Sequence, residues 1–335
     1  MQTYIVLIAC VILLLCLFFR VPVYISVFAA ALTYFLFQTG SSPAIIAQRI
    51  GGGIQSIPLL AIPFFICAGI FMNSSGVTKR IMNFCNVVTK RMTGGLGQVN
   101  VLLSTLMGGL SGSNLADAAM EAKILVPEME EKGYSKEFSS VLTATSAMIT
   151  PLIPPGIGMI LYGSIANVSI GKLFVAGIGI GVLLCISLMI MVHFISKKRG
   201  YQPATKEKQD PEEVKSAVKQ AILPLCLPIL IIGGIRIGIV TPTEAGTVAI
   251  VYALILGIIY KELKMSDVVD GLKESVATTA SIMMIVGGAS AFAWVLTKER
   301  IPQQLTEVIT SSISNKYVFL IIVILFLLVV GMFIE

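Results

Sequence analysis

Charge is what this sequence lacks most: Asp, Glu, Lys and Arg together make up 13% of its 335 residues, against roughly 25% in ordinary soluble domains. With 56% hydrophobic residues and a mean hydropathy of +0.91, a soluble globular domain is excluded and a membrane-integral chain is expected. Histidine is nearly absent. The one copy, His193, ends an apolar run beside Lys197, Lys198 and Arg199, a place that fits topology better than catalysis or ligation. The six cysteines (Cys10, Cys16, Cys67, Cys85, Cys185 and Cys226) include no Cys-x-x-Cys pair, and all but Cys85 lie in apolar runs, so buried packing accounts for them. No metal-ligand cluster, nucleophile–base pair or phosphate loop stands out, which argues against an enzyme and against a bound cofactor. The ten-residue alternating rhythm of an outer-membrane barrel is missing too. Helix-length apolar runs broken by Gly and Pro point instead to an all-α polytopic membrane protein.

What charge there is lies between the apolar runs. The formal net charge of +6 is explained by the positive-inside rule, without a nucleic-acid partner. Residues 4 to 19 form a first span followed by Arg20, while the flank Met1-Gln-Thr3 carries no basic side chain and no cleavage site; this reads as an anchor with its N-terminus outside. Pro22 opens a second span to about Gln38, which leads to a loop ending in Gly51-Gly52-Gly53, and a third span runs from Ser56 to Asn73. Residues 76 to 92, with Lys79, Arg80, Lys90 and Arg91, read as an amphipathic segment at the cytoplasmic interface.

That segment delivers the chain to Gly108-Gly-Leu-Ser-Gly-Ser-Asn-Leu-Ala-Asp117, a polar, glycine-rich break in an apolar sequence. At membrane depth such a break is tolerated only where protein or a water-filled cavity covers its loose backbone groups. It reads as the tip of a re-entrant hairpin over residues 95–131, whose first arm, Val99 to Gly108, is too short to cross about 30 Å of hydrocarbon. Ser111, Ser113 and Asn114 supply oxygen ligands, and a helix restarting near Asn114 directs its partly positive end at the tip. A second break, Thr150-Pro-Leu-Ile-Pro-Pro-Gly-Ile-Gly158, frees carbonyls that are natural cation ligands. Each feature has a plainer reading: small-residue helix packing for Ser111 to Asn114, helix capping for Asp117, and a proline kink for Thr150 to Gly158. Thr241-Pro-Thr-Glu244 spells a capping box that starts a helix, with a proton-carrying Glu244 as the other reading.

A polar loop, residues 197 to 219, carries Lys197, Lys198, Arg199, Lys206, Lys208, Lys215 and Lys219 and marks the midpoint. Spans follow from Ala221 to Ile239, from Thr241 to Tyr260 and from Val268 to Leu296 (relieved at Gly287-Gly288), then an amphipathic stretch over 301–313 and a last span from Tyr317 to Ile334. The halves match at offsets of 219 to 222 residues: Pro22 with Pro242, Thr78-Lys-Arg-Ile81 with Thr297-Lys-Glu-Arg-Ile301, and Gly109 with Gly331. By the count of crossings the second copy is inverted, the plan of secondary transporters with a midplane site at broken helices. The second copy is incomplete on that plan, and a second hairpin tip with its broken helix, roughly 80 residues, is expected beyond Glu335.

Gly109-Leu-Ser-Gly-Ser-Asn-Leu-Ala-Asp117, Ile153-Pro-Pro-Gly156, Thr241-Pro-Thr-Glu-Ala245 and Gly331-Met-Phe-Ile-Glu335, in this order, resemble the large membrane subunit of TRAP (tripartite ATP-independent periplasmic) transporters, the DctM type. The likeness covers the whole chain. It departs at Gly156, where that family often has Ser, and at the missing C-terminal part. The resemblance implies a sodium-driven symporter in a bacterial inner membrane that imports a small organic anion, such as a C4-dicarboxylate or sialic acid, by an elevator motion. It implies a soluble periplasmic binding protein (DctP type) and a small four-helix membrane subunit (DctQ type) as partners. The expected division is scaffold helices over 1–55, half of the moving domain over 56–171, a connecting span and loop over 172–219, further scaffold over 220–265, and the start of the second moving half over 266–335. Ser111, Ser113, Asn114, Thr150 and Pro154 are expected to hold Na⁺, partly through carbonyls and with Asp117 as a possible addition, while Ser111, Gly112, Ser113, Pro155 and Gly156 face the substrate. A truncated, non-transporting scaffold is the competing reading, and a channel a further one.

Overall fold

The computed structural model describes residues 2–38, 43–203, 210–312 and 315–331; of Ser111 only the main chain is described. Lys206, Lys208 and the last four residues of Gly331-Met-Phe-Ile-Glu335 therefore lie outside it. Every regular element among the described residues is helical. Among the described residues, five helices are long and apolar enough to cross a membrane, or six if one bent pair is a single broken span.

The chain forms two compact units, one of residues 1–55 with 281–335 and one of residues 56–280. In the first, α1 (Gln2–Phe18) and α2 (Val23–Phe37) pair, and α3 (Pro43–Ile54) follows. Gly51, Gly52 and Gly53 lie inside α3 rather than in the loop their composition suggests. Close packing explains the exception at Gly53: a Cβ there would stand 2.1 Å from Ser290 Oγ. That serine lies on α13 (Met265–Lys298), which is followed by α14 (Ile301–Ser312) and α15 (Lys316–Gly331). Val6, Tyr34 and Val295 form the buried centre, and Phe35 stacks on Trp294 with ring centroids 5.5 Å apart. The Tyr34 hydroxyl donates to Glu299, so a buried polar end is satisfied as burial requires.

The second unit begins with a 3-10 turn at Ile57–Leu60 that runs into α4 (Ala61–Ser74). Its partner is α12 (Pro242–Tyr260). The two approach closely at Gly246, where an added Cβ would lie 2.8 Å from Phe64 Cβ. The capping box read at Thr241 is present, with Thr241 Oγ1 accepting from Glu244 N and Glu244 Oε2 accepting from Thr241 N. The amphipathic α5 (Val77–Thr89) precedes α6 (Gly95–Ser111) and α7 (Asn114–Glu131). α6 is longer than its apolar run predicts. It has 17 residues, about 25 Å at 1.5 Å per residue, because Gly95 and Gly97 at its start continue the helix; a Cβ on Gly97 would meet Val192 at 2.9 Å.

α8 (Lys136–Ser146) continues as a 3-10 turn over Ala147–Leu152, and α9 (Ile157–Ile165) leaves at a bend of 46°. The second break is thus where Pro151, Pro154 and Pro155 place it. α10 (Ile170–Arg199) and α11 (Pro211–Ile237) consume most of the expected basic loop, so that Lys197, Lys198, Arg199, Lys215 and Lys219 are helical. The reason lies in the caps. Asp210 accepts from Glu212 N, Pro211 occupies the first turn, and Glu212 and Glu213 complement the helix dipole. Leu96, Val101, Met129, Leu142, Ile149 and Val192 form the buried core around which α6, α7, α8 and α10 gather.

Candidate functional site

α6 ends where the glycine-rich motif predicts. Gly112 is its C-cap in the left-handed conformation, φ 62°, which glycine adopts without the Cβ penalty. Ser113 is the N-cap of α7, its Oγ accepting from Ala116 N at 3.4 Å. Asn114 Oδ1 accepts from Leu115 N at 2.9 Å. Both side chains are half-buried, and both oxygens engage the first-turn amides of α7, where helices carry unsatisfied donors.

The tip and the proline break meet main chain to main chain. A Cβ on Gly112 would stand 2.4 Å from the Pro155 carbonyl oxygen, one on Gly108 2.8 Å from that of Thr150, and one on Gly156 2.1 Å from that of Pro151. Gly109 packs on Pro228 of α11, and a Cβ there would lie 3.6 Å from the Pro154 carbonyl oxygen. Gly112, Pro155 and Gly156 are therefore brought together, with the Pro154 carbonyl on the neighbouring turn.

Thr150 and Asp117 form a separate, deeper pair. Thr150 Oγ1 donates to Asp117 Oδ2 at 2.9 Å and lies 3.2 Å from the Ser104 carbonyl oxygen. Neither side chain is in solvent: Thr150 is 0% and Asp117 2% exposed. The N-cap bond that sequence offered as one role for Asp117 is made by Ser113.

Five residues that sequence reasoning passed over complete this layer. Ser104 Oγ donates to Glu121 Oε2 at 2.7 Å, Asn100 Nδ2 donates to Thr143 Oγ1 at 2.7 Å, and Ser146 Oγ donates to Asn100 Oδ1 at 2.6 Å. Glu121 is fully buried, and its Oε1 has no hydrogen-bond partner among the described residues. The signal was available, since Asn100 and Ser104 are four residues apart, as are Asp117 and Glu121, and that spacing places each pair on one helix face. Glu244 caps α12 on the protein's exterior. His193 makes an edge-to-face contact with Phe194.

The site is thus a glycine-capped hairpin closed against a proline-broken helix, in an all-α multi-pass membrane protein. Residues 10–335 match the family described as "Tripartite ATP-independent periplasmic transporter, DctM component". The chain belongs to this family. It is 41% identical over 320 residues to the sialic acid TRAP transporter large permease protein SiaM of Vibrio cholerae, covering 95% of this chain and 74% of that protein. It is 38% identical over 329 residues to the sialic acid TRAP transporter permease protein SiaT of Haemophilus influenzae, covering 98% of this chain and 53% of that one, about half its length. The C4-dicarboxylate TRAP transporter large permease protein DctM of Pseudomonas aeruginosa is 35% identical over 308 residues, 92% of this chain and 71% of that protein. As a DctM component, the chain is part of a transporter.

Proposed function

We propose that this DctM component is the large membrane subunit of a sodium-coupled symporter that imports a small organic anion, of the sialic acid or C4-dicarboxylate class, across a bacterial inner membrane. The observation that carries the reading is the closure of Gly112 on the Pro155 carbonyl at the N-terminus of α7. Neutral oxygens of Ser111, Ser113 and Asn114 and carbonyls near Thr150 and Pro154 suit Na⁺, and the α7 dipole suits the substrate's carboxylate. A cation bound beside that carboxylate offsets its charge where the dielectric is low. Gly112, Ser113, Pro155 and Gly156 stand on the substrate side of this arrangement.

The partners are a soluble periplasmic binding protein that delivers the acid and a small four-helix membrane subunit that completes the scaffold. The chain lies with its N-terminus in the periplasm, residues 56–171 belong to a part that slides, and the second-half segment from 266 belongs with it. The scaffold comprises residues 1–55 and 220–265. Asn114→Ala tests the site in proteoliposomes reconstituted with both partners. Half-saturation by Na⁺ is expected to rise about tenfold or more, a change worth about 1.4 kcal/mol. Unchanged sodium dependence would remove Asn114 from the site.

A further inference from the structure

Away from the hairpin tip, a cavity of about 580 Å³ opens among α5, the start of α6, the end of α7 and the end of α10. Three cations line it: Lys90, Lys132 and Arg199. Lys90 is paired with Glu213 at 2.9 Å. Arg199 donates to Ser135 Oγ at 3.3 Å and lies 5.5 Å over the Phe138 ring, while Lys132 makes no ion pair among the described residues. Glu128 and Glu213 are the acidic lining residues, so the wall keeps a net positive charge.

Two further observations give that charge a direction. α6 starts at this cavity, with Leu96 in the lining, and its N-cap Gly94 (φ 74°) offers no side-chain acceptor to the first-turn amides. Uncapped first-turn amides are donors that need a partner. Tyr134, also in the lining, is only 5% exposed, and its Oη has no hydrogen-bond partner among the described residues. A buried phenol without a partner is a donor and acceptor held in reserve. Amide donors, a phenolic O–H, an ammonium and a guanidinium around one cavity match a tetrahedral oxyanion with several acceptor oxygens.

We infer that this cavity binds a phosphate group, and that the phosphate belongs to the headgroup of an anionic phospholipid. Placement favours the lipid as the source: α5 is amphipathic, carries Lys79 and Arg80 and has Lys90 as its C-cap, and the last turn of α10 carries Lys197, Lys198 and Arg199. Basic pockets between membrane helices at such a boundary are sites where anionic headgroups dwell. The assignment is independent of the sodium and substrate reading, because none of its residues belongs to the hairpin tip or the proline break.

The test uses the full chain purified in detergent and stripped of lipid, titrated with phosphatidylglycerol, with phosphatidylcholine and with inorganic phosphate. Native mass spectrometry reads retention, and thermal unfolding reads protection. Phosphatidylglycerol is expected to bind and protect beyond phosphatidylcholine, with apparent affinity falling about tenfold in Lys132→Gln and several-fold in Tyr134→Phe. Tyr134→Phe removes no hydrogen bond made among the described residues, so its lipid-free melting temperature is expected to match the parent; a difference confined to the liganded state then reports binding rather than folding. Protection by inorganic phosphate, lost in the same variants, with no preference between the two lipids, upholds the phosphate site and overturns the lipid as its source. Equal retention of phosphatidylglycerol by parent and variants, with no protection by phosphate, overturns the site.

Discussion

Ser104 stands between two neighbours of α6. Its hydroxyl donates to Glu121 on α7, and its carbonyl oxygen lies 3.2 Å from Thr150 Oγ1 on the 3-10 turn, so one residue of α6 touches both neighbours. Removing the Thr150 hydroxyl strips Asp117 of a buried donor, and Thr150→Val is expected to destabilise the protein by about 1–3 kcal/mol. A thermal unfolding curve indistinguishable from the parent would mean that the bond carries no stability. Gly112→Ala acts differently, because it forces an L-residue to φ 62° and sets a methyl 2.4 Å from the Pro155 oxygen. The expected outcome is a folded protein whose uptake falls more than about tenfold, with the strain of roughly 1–2 kcal/mol localised at the tip. At this scale the sequence disclosed the glycine turn and the helix restart at Asn114, since their chemistry is local. It hid Ser104 and Glu121, whose partners are 17 positions apart in the chain and become neighbours only when α6 and α7 pair.

Helix boundaries follow the same division between local and distant causes. The capping box at Thr241 was readable because all its atoms lie within four residues, and Thr241→Ala is expected to cost about 1 kcal/mol, seen as a lowered melting temperature. The start of α11 at Pro211 also obeys a local rule, Asp-Pro-Glu-Glu over residues 210–213, which the density of lysines around it obscured. The glycines of α3 and α6 are another matter. Gly53 and Gly97 sit inside helices although glycine disfavours them, and the compensation comes from Ser290 and Val192 pressing where a side chain would stand. Substituting Leu at Gly97 is expected to separate α6 from α10 and to lower the yield of folded protein, measured as monodisperse material after extraction. An undisturbed yield would show that α6 and α10 can part without loss.

For the whole molecule, membrane character was legible from composition alone, because an excess of apolar residues leaves no soluble alternative. The grouping of residues 1–55 with 281–335 in one compact unit was not, since it depends on which helices pack together rather than on their individual hydropathy. Uptake by the reconstituted transporter is expected to saturate with substrate and to stop when the sodium gradient is collapsed. Flux that rises linearly with substrate and ignores sodium would identify a channel and end the symport reading.

At the tip, Gly112 stands against the Pro155 carbonyl oxygen and Gly108 against that of Thr150, and within the proline break Gly156 stands against that of Pro151. A frame built this way does not encode which acid passes through it. Relatives named for sialic acid and for C4-dicarboxylates could be built on such a frame, with the side chains around it making the difference. Exchanging those surrounding side chains between two relatives, and leaving the frame intact, is therefore the route by which one member could be taught the diet of another.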